Sequence, residues 1–216
     1  VPARHRNGRV FMYAGVLGMG ANSEVVVFPE EVEAAGLPNA PLLPDWTTLQ
    51  ELPWAGSPEG VLVRRVYCEM GGACAEAVPR AVCRRLLEEL RAHGHQGLEL
   101  LAGGELEFTL CRPAGGGWEP AFSGVDLLAT LQSSKAMDFC YDVERHMEAV
   151  GVDVLTMNAE YGAGQLEITL APKLGLEALD AAATFRTGVK ELAQQRGLRA
   201  TFMGKPFGQE GCGNGG

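Results

Sequence analysis

Basic residues are scarce in this 216-residue chain, which has 18 Lys and Arg against 27 Asp and Glu and a formal net charge of −9. A chain of this charge is repelled by phosphate backbones and anionic lipids, so we expect neither a nucleic-acid nor a membrane partner. Long apolar runs are also missing, and no stretch approaches the roughly 18 residues of a membrane span. The six cysteines form no CxxC pair, which is typical of a reduced, cytoplasmic protein without a disulfide framework.

The pattern of the chain changes near residue 78. Residues 29–60 are rich in proline and are predicted to form an extended connection with many turns, whereas strands and helices alternate after residue 78. We therefore predict one domain over residues 1–77 and a second over 78–216. The predicted helices cover residues 79–93, 138–150 and 175–196, and the principal strands cover 105–112, 153–158 and 165–171.

The segment GELEFTLCR, residues 104–112, alternates apolar and polar side chains with the period of a strand. Leu106, Phe108 and Leu110 fall on one face, which is predicted to be buried. Glu105 and Glu107 fall on the other face. Because glutamate is a poor strand former, a strand that carries two of them is mildly unfavourable.

A second strand, within GQLEITL at residues 164–170, repeats this design and places Gln165 and Glu167 on its polar face. Glu160 approaches the same patch through the turn EYGAG. If the two strands share a sheet, four carboxylates gather on one surface and repel each other, which raises the pKa of several of them. Mg²⁺ or Mn²⁺ would relieve that repulsion, because both prefer carboxylate oxygen. The alternative is a solvated face of an acidic protein.

Several segments together resemble the glutamine synthetase family. These are, in chain order, LLPDWTTLQELPW, GELEFTL, NAEYGAGQLEITLAPKLG, FRTGVKELAQQRGLRATFMGKP and the closing GNG. The resemblance covers about residues 37–216 and is nearest to the class I-like branch that includes lengsin. The chain looks like the N-terminal half to two-thirds of such a protein.

This resemblance implies an α+β fold, with a partial N-terminal β-grasp domain followed by a catalytic domain that has a curved antiparallel sheet and flanking helices. The C-terminal part of that domain would be missing. It also implies ligation of ammonia to glutamate, with ATP as co-substrate, Mg²⁺ or Mn²⁺ as cofactor and γ-glutamyl phosphate as intermediate. Family members form ring-shaped homo-oligomers.

The resemblance also implies roles for individual residues. Glu107, Glu160 and Glu167 match the ligands of one metal, and Glu105 matches a ligand of a second metal. Asn214 and Gly215 match the loop that binds substrate glutamate. Gln165 matches a residue that supports the ligands without binding the metal.

The chain also departs from the family pattern. Asn39 stands where the family has the aspartate of its ammonium site, and the metal-binding histidine and phosphate-contacting arginines of the family would lie beyond Gly216. We therefore expect the 216 residues alone to be inactive. Two alternatives to glutamine formation remain open, namely a non-catalytic, lengsin-like structural assembly and a ligase that joins another amine to glutamate.

Overall fold

The computed structural model describes residues 10–20, 23–24, 26–56, 59–93, 97–122, 128, 130–208 and 213–215. The chain divides into two compact units, one of Val1–Gln50 with Arg64–Glu99 and one of Glu51–Val63 with Leu100–Gly216. None of the described helices has the length and hydropathy needed to cross a membrane. The domain boundary near residue 78 stays a prediction.

The first unit contains a three-stranded antiparallel sheet, in which β2 (Asn39–Pro44) lies between β1 (Phe11–Tyr13) and β5 (Cys68–Met70). Strand β2 lies within the stretch predicted to be an extended connection with many turns, and that prediction is wrong here. Two short strands come between β2 and β5 in the chain, β3 (Gln50–Glu51) and β4 (Arg64–Arg65). The helices are α1 (Glu30–Ala34) and α2 (Pro79–Ala92).

Helix α2 begins as its sequence predicts. Pro79 occupies the first turn, where its fixed φ suits the helix and its missing N–H is not needed. Val32, Ala40 and Cys74 are almost completely buried in the small core of this unit. The unit is thus a compact body with its own core.

The second unit is built on a five-stranded antiparallel sheet in the order β12–β7–β10–β9, with β8 paired to residues 111–114 at the end of β7. Its strands and helices are, in chain order, β6 (Leu101–Ala102), β7 (Glu105–Ala114), β8 (Gly117–Pro120), α3 (Thr130–Glu148), β9 (Val154–Ala159), β10 (Gln165–Leu170), β11 (Lys173–Leu174), α4 (Leu176–Gln195) and β12 (Arg199–Thr201). The mixed fold with antiparallel sheets agrees with the predicted class.

The core of the second unit lies between this sheet and helices α3 and α4. Phe108 and Ile168 from the sheet and Val143, Met147 and Phe185 from the helices have no exposed surface. The predicted alternation in β7 and β10 is therefore confirmed, because every second side chain packs inward and the polar ones line the opposite face. Burial of these side chains fixes which face of the sheet remains for the carboxylates.

Candidate metal centre

The register between β7 and β10 brings two of the predicted carboxylates together. Glu107 and Glu167 are directly opposite each other in the antiparallel pair, and Phe108 faces Leu166 in the next position. A slip of one residue would turn the glutamates into the core and expose Phe108, so burial of the apolar set fixes the register. The same pattern that builds the core thereby places two negative charges side by side.

Glu160 reaches the same point from the residue after β9. One oxygen from each of Glu107, Glu160 and Glu167 lies within 4.8 Å of the other two, and all three side chains are half-buried. Asn158 Nδ2 donates a hydrogen bond to Glu160 Oε1 at 3.0 Å, and the backbone N–H of Tyr161 donates to Oε2 at 3.3 Å. These bonds hold the third carboxylate over the other two.

Burial and like charge act together on Glu167. Desolvation raises the pKa of this carboxyl group above its ordinary value, and the charges of Glu160, Glu105 and Glu107 raise it further. A carboxylate in this position is therefore destabilised in its charged form. A divalent cation would remove the penalty, and three hard oxygen donors at this spacing fit Mg²⁺ or Mn²⁺.

Glu105 lies outside this group of three. It is on the same face of β7 as Glu107 but is exposed, at the first position of the strand and opposite Thr169. Its charge is still felt at Glu167. The structure thus places all four predicted carboxylates on one surface and brings three of them within reach of a common point.

Gln165 lies beside Glu107 at the start of β10 and is almost completely buried, with 3% of its surface exposed. Its Nε2 donates to Glu107 Oε2 at 2.8 Å and to the carbonyl oxygen of Gly213 at 2.9 Å. Its Oε1 accepts from the backbone N–H of Gly162 at 2.7 Å. The side chain therefore joins a predicted ligand to the loop at residues 213–215.

Asn214 and Gly215 lie in that loop, next to the carboxylates. The backbone N–H of Gly215 donates to Glu107 Oε2 at 2.7 Å. The side chain of Asn214 donates to the carbonyl oxygens of Thr201 and Met203 and accepts a hydrogen bond from Thr109. In this structure both residues hold the loop in place.

Two residues of the site were not predicted from the sequence. Thr109 is buried on the polar face of β7, where its hydroxyl donates to Asn214 Oδ1 at 3.2 Å. Gly213 has no room for a side chain, because a Cβ would lie 2.6 Å from the carbonyl oxygen of Gly204. The alternation in β7 predicts that Thr109 shares a face with Glu105 and Glu107, but not that it belongs to the site. A contact between backbone segments leaves no sequence signal beyond the glycine itself.

Comparisons with known proteins agree with this arrangement. Residues 76–215 match the family model described as "Glutamine synthetase, catalytic domain". A glutamate–isopropylamine ligase of a Pseudomonas species is 29% identical over 180 residues, and a glutamine synthetase of Methanococcus voltae is 33% identical over 180 residues. Each alignment covers 80% of this chain and 38% of the relative, so the matched segment spans about two-fifths of the length of these relatives.

Solved structures show the same fold. A structure described as a novel glutamine synthase homolog superposes with a TM-score of 0.76 at 21% identity, covering 95% of this chain and 46% of the other. Ligand-free GmaS superposes with a TM-score of 0.68 at 26% identity, covering 82% of this chain and 41% of the other. With its catalytic-domain match extending over more than half of its residues, the chain belongs to the glutamine synthetase family.

Proposed function

We propose that the protein joins ammonia or another amine to the side-chain carboxylate of glutamate, with ATP as co-substrate and Mg²⁺ or Mn²⁺ held by Glu107, Glu160 and Glu167. The observation that carries this proposal is the convergence of these three carboxylates within 4.8 Å in a chain of this family. Repelling, half-buried charges lower stability, and a purely structural protein gains nothing from them.

A cation held by Glu107, Glu160 and Glu167 would supply electrostatic stabilisation, because it would offset negative charge that develops on phosphate oxygens during phosphoryl transfer. Glu105 is proposed to contribute to a second cation from its exposed position on the same face. Asn214 and Gly215 are proposed to bind glutamate, and Gln165 is proposed to support the ligands. The hydrogen bonds of Gln165 and Gly215 to Glu107 would keep the glutamate site at a fixed position relative to the carboxylates.

The choice of amine is a separate part of the proposal. The relatives named above include a glutamine synthetase and a glutamate–isopropylamine ligase. Asn39 is exposed on β2 and is neutral where the family resemblance places an anionic side chain. A neutral side chain attracts ammonium less strongly than a carboxylate, so another amine is retained as an alternative substrate.

The remaining expectations concern the protein as a whole. We propose that the three-stranded sheet and short helix of the first unit belong to a β-grasp domain, with the domain boundary near residue 78. A ring-shaped homo-oligomer and a cytoplasmic location are proposed from the family resemblance. A lengsin-like structural assembly is the alternative to the enzyme.

The test is an amine panel with the whole protein. Glutamate, ATP and Mg²⁺ or Mn²⁺ are mixed with ammonia, methylamine or isopropylamine, and the release of phosphate and the mass of the product are measured. We expect turnover with at least one amine and a fall of roughly 100-fold or more in Glu160→Gln, because a lost ligand removes several kcal/mol of charge stabilisation.

The matched control is Glu148→Gln, which changes an exposed glutamate on α3 and is expected to leave turnover unchanged. Absence of phosphate release with every amine would overturn the enzymatic proposal and favour the structural alternative. Equal turnover in Glu160→Gln and in the control would remove Glu160 from the site.

A further inference from the structure

Every hydrogen-bonding group of the Gln165 side-chain amide has a partner within the second unit. Both of its N–H groups have acceptors, Glu107 Oε2 and the carbonyl oxygen of Gly213, and its oxygen accepts from the N–H of Gly162. Since the side chain is 3% exposed, water cannot replace these partners. Each bond lost would leave a buried polar group unsatisfied.

These three bonds join segments that are far apart in the chain. Gly162 belongs to the turn after Glu160, Glu107 lies in the middle of β7, and Gly213 begins the loop at residues 213–215. One amide therefore connects the segment that presents one carboxylate, the strand that presents another and the loop. Apart from Gln165, no described side chain bonds to all three of these segments.

The loop contacts Glu107 by a second route. The N–H of Gly215 donates to the same Oε2 that Gln165 bonds, at 2.7 and 2.8 Å respectively. This oxygen thus has two donors, while Oε1 of Glu107 accepts no hydrogen bond from the described residues. The pair of donors orients the carboxylate so that one oxygen remains for a cation.

The rest of the loop is anchored to the segment after β12. The N–H of Asn214 donates to the carbonyl oxygen of Gly204 at 2.9 Å, and its side chain donates to the carbonyl oxygen of Met203 at 2.9 Å. Gly213 packs so closely on Gly204 that no side chain could be added. A change in the position of Glu107 is therefore transmitted to residues 213–215 through Gln165 and the N–H of Gly215.

We propose that Gln165 is a positioning residue that couples cation binding at Glu107, Glu160 and Glu167 to the position of residues 213–215. This inference rests on the cation site of the proposed function. A cation that holds Glu107 would keep Oε2 in position to accept from Gln165 and Gly215, and the same two bonds orient Glu107 for the cation. The coupling is reciprocal, because two equilibria that share one carboxylate must affect each other equally.

The test uses Mn²⁺ and amide hydrogen exchange on the whole protein. In the wild type, saturating Mn²⁺ is expected to slow exchange of the Gly215 N–H. In Gln165→Leu, which removes the three bonds at similar size, Mn²⁺ affinity measured by calorimetry should fall about 10- to 100-fold. The Mn²⁺-dependent protection of Gly215 should disappear with it.

The matched control is Gln195→Leu, which removes a glutamine of the same unit that bonds to the carbonyl oxygen of Trp54. It should leave both Mn²⁺ affinity and Gly215 protection unchanged. If Gln165→Leu fails to fold, the wild-type exchange experiment still tests the proposal, because unchanged Gly215 exchange on Mn²⁺ saturation overturns the coupling.

The outcomes separate this inference from the proposed function. If Glu160→Gln loses Mn²⁺ while Gln165→Leu keeps both its affinity and its Gly215 protection, the coupling is wrong and the cation site stands. If the wild type itself binds no Mn²⁺, the cation site of the proposed function is wrong and the coupling is overturned with it.

Discussion

The negative charge of Glu167 lowers the stability of the cation-free protein, but the proposed cation site requires it. It lies directly opposite Glu107 and close to Glu160, and desolvation with these charges raises the pKa of its carboxyl group. Like charges directly opposite on paired strands cost about 0.2–1 kcal/mol. We predict that Glu167→Gln stabilises the cation-free protein by this amount and abolishes its stabilisation by Mn²⁺, as measured by urea unfolding at pH 7.

Glu148→Gln on α3 is the control for this measurement, because it removes one negative charge from an exposed position. It should leave unfolding and the response to Mn²⁺ within error of the wild type. A Glu167→Gln protein that is less stable than the wild type without cations would show that repulsion among the three carboxylates is not the dominant effect there.

At the scale of single residues, the sequence predicts the carboxylate ligands better than it predicts the residues that surround them. Alternation in two strands predicts that Glu107 and Glu167 share a face, and the register places them opposite each other. The gathering of Thr109, Gly213 and Asn214 depends on a loop that returns over the sheet from far along the chain. Such contacts have no period in the sequence, so pattern reasoning does not reach them.

Helix α2 is tied to the sheet of its own unit through its first turn. Arg80 forms ion pairs with Asp45 at 2.8 Å and Glu69 at 3.5 Å, and its side chain is only 13% exposed. Hydrogen bonds to a charged group contribute about 1.5–3 kcal/mol. We predict that Arg80→Met lowers the free energy of unfolding by this amount at pH 7, as measured in urea.

Arg91→Met is the matched control on the same helix. Arg91 pairs with Glu99, but both side chains are more than half exposed, and exposed pairs contribute about 0–1 kcal/mol. Equal losses in the two variants would contradict the view that the partial burial of Arg80 makes its ion pairs strong.

The same network predicts how stability changes with pH. A hydrogen bond from Thr47 and the guanidinium of Arg80 lower the pKa of Asp45, and Arg84 with Arg80 lowers the pKa of Glu69. Carboxylates whose pKa is lowered by folding stabilise the protein above their unfolded pKa of about 4, and this contribution is lost as pH falls through the folded pKa. Between about pH 5 and 2, the wild type should therefore lose more stability than Arg80→Met, and parallel curves would contradict this.

The sequence predicts the bounds of helices well where their apolar pattern is strong. Helix α2 begins at Pro79 and α4 ends at Gln195, close to the predicted limits. Helix α3 begins at Thr130 instead of near residue 138. Between residues 135 and 138 only Ala136 is buried, so the apolar period becomes visible only from Phe139 onward.

Strand β2 is an element that the sequence does not predict. It contains Pro41 and Pro44, which ordinarily argue against a strand with neighbours on both sides. The carbonyl oxygen of Pro41 still accepts a hydrogen bond from Gly71, so pairing continues through the groups that proline retains. Tertiary pairing here overrides the local preference on which the sequence prediction relied.

At the scale of the whole molecule, strand β1 bears on the proposed assembly. Phe11, Met12 and Tyr13 are 52%, 41% and 43% exposed, and β1 lies at one edge of the described three-stranded sheet. An apolar strand at a sheet edge is available for contact with another protein chain. If the proposed homo-oligomer uses this edge, Phe11→Asp should weaken self-association at least about tenfold, a loss of roughly 1.4 kcal/mol.

Sedimentation velocity of the whole protein over a range of concentrations measures this effect. Leu98→Asp is the matched control, because it places the same charge at a leucine of the same unit that is 55% exposed. If both variants assemble like the wild type, the oligomer forms through another surface, since a carboxylate buried in an apolar contact cannot be neutral in its effect. A wild-type protein that remains monomeric at every concentration would overturn the proposed assembly itself.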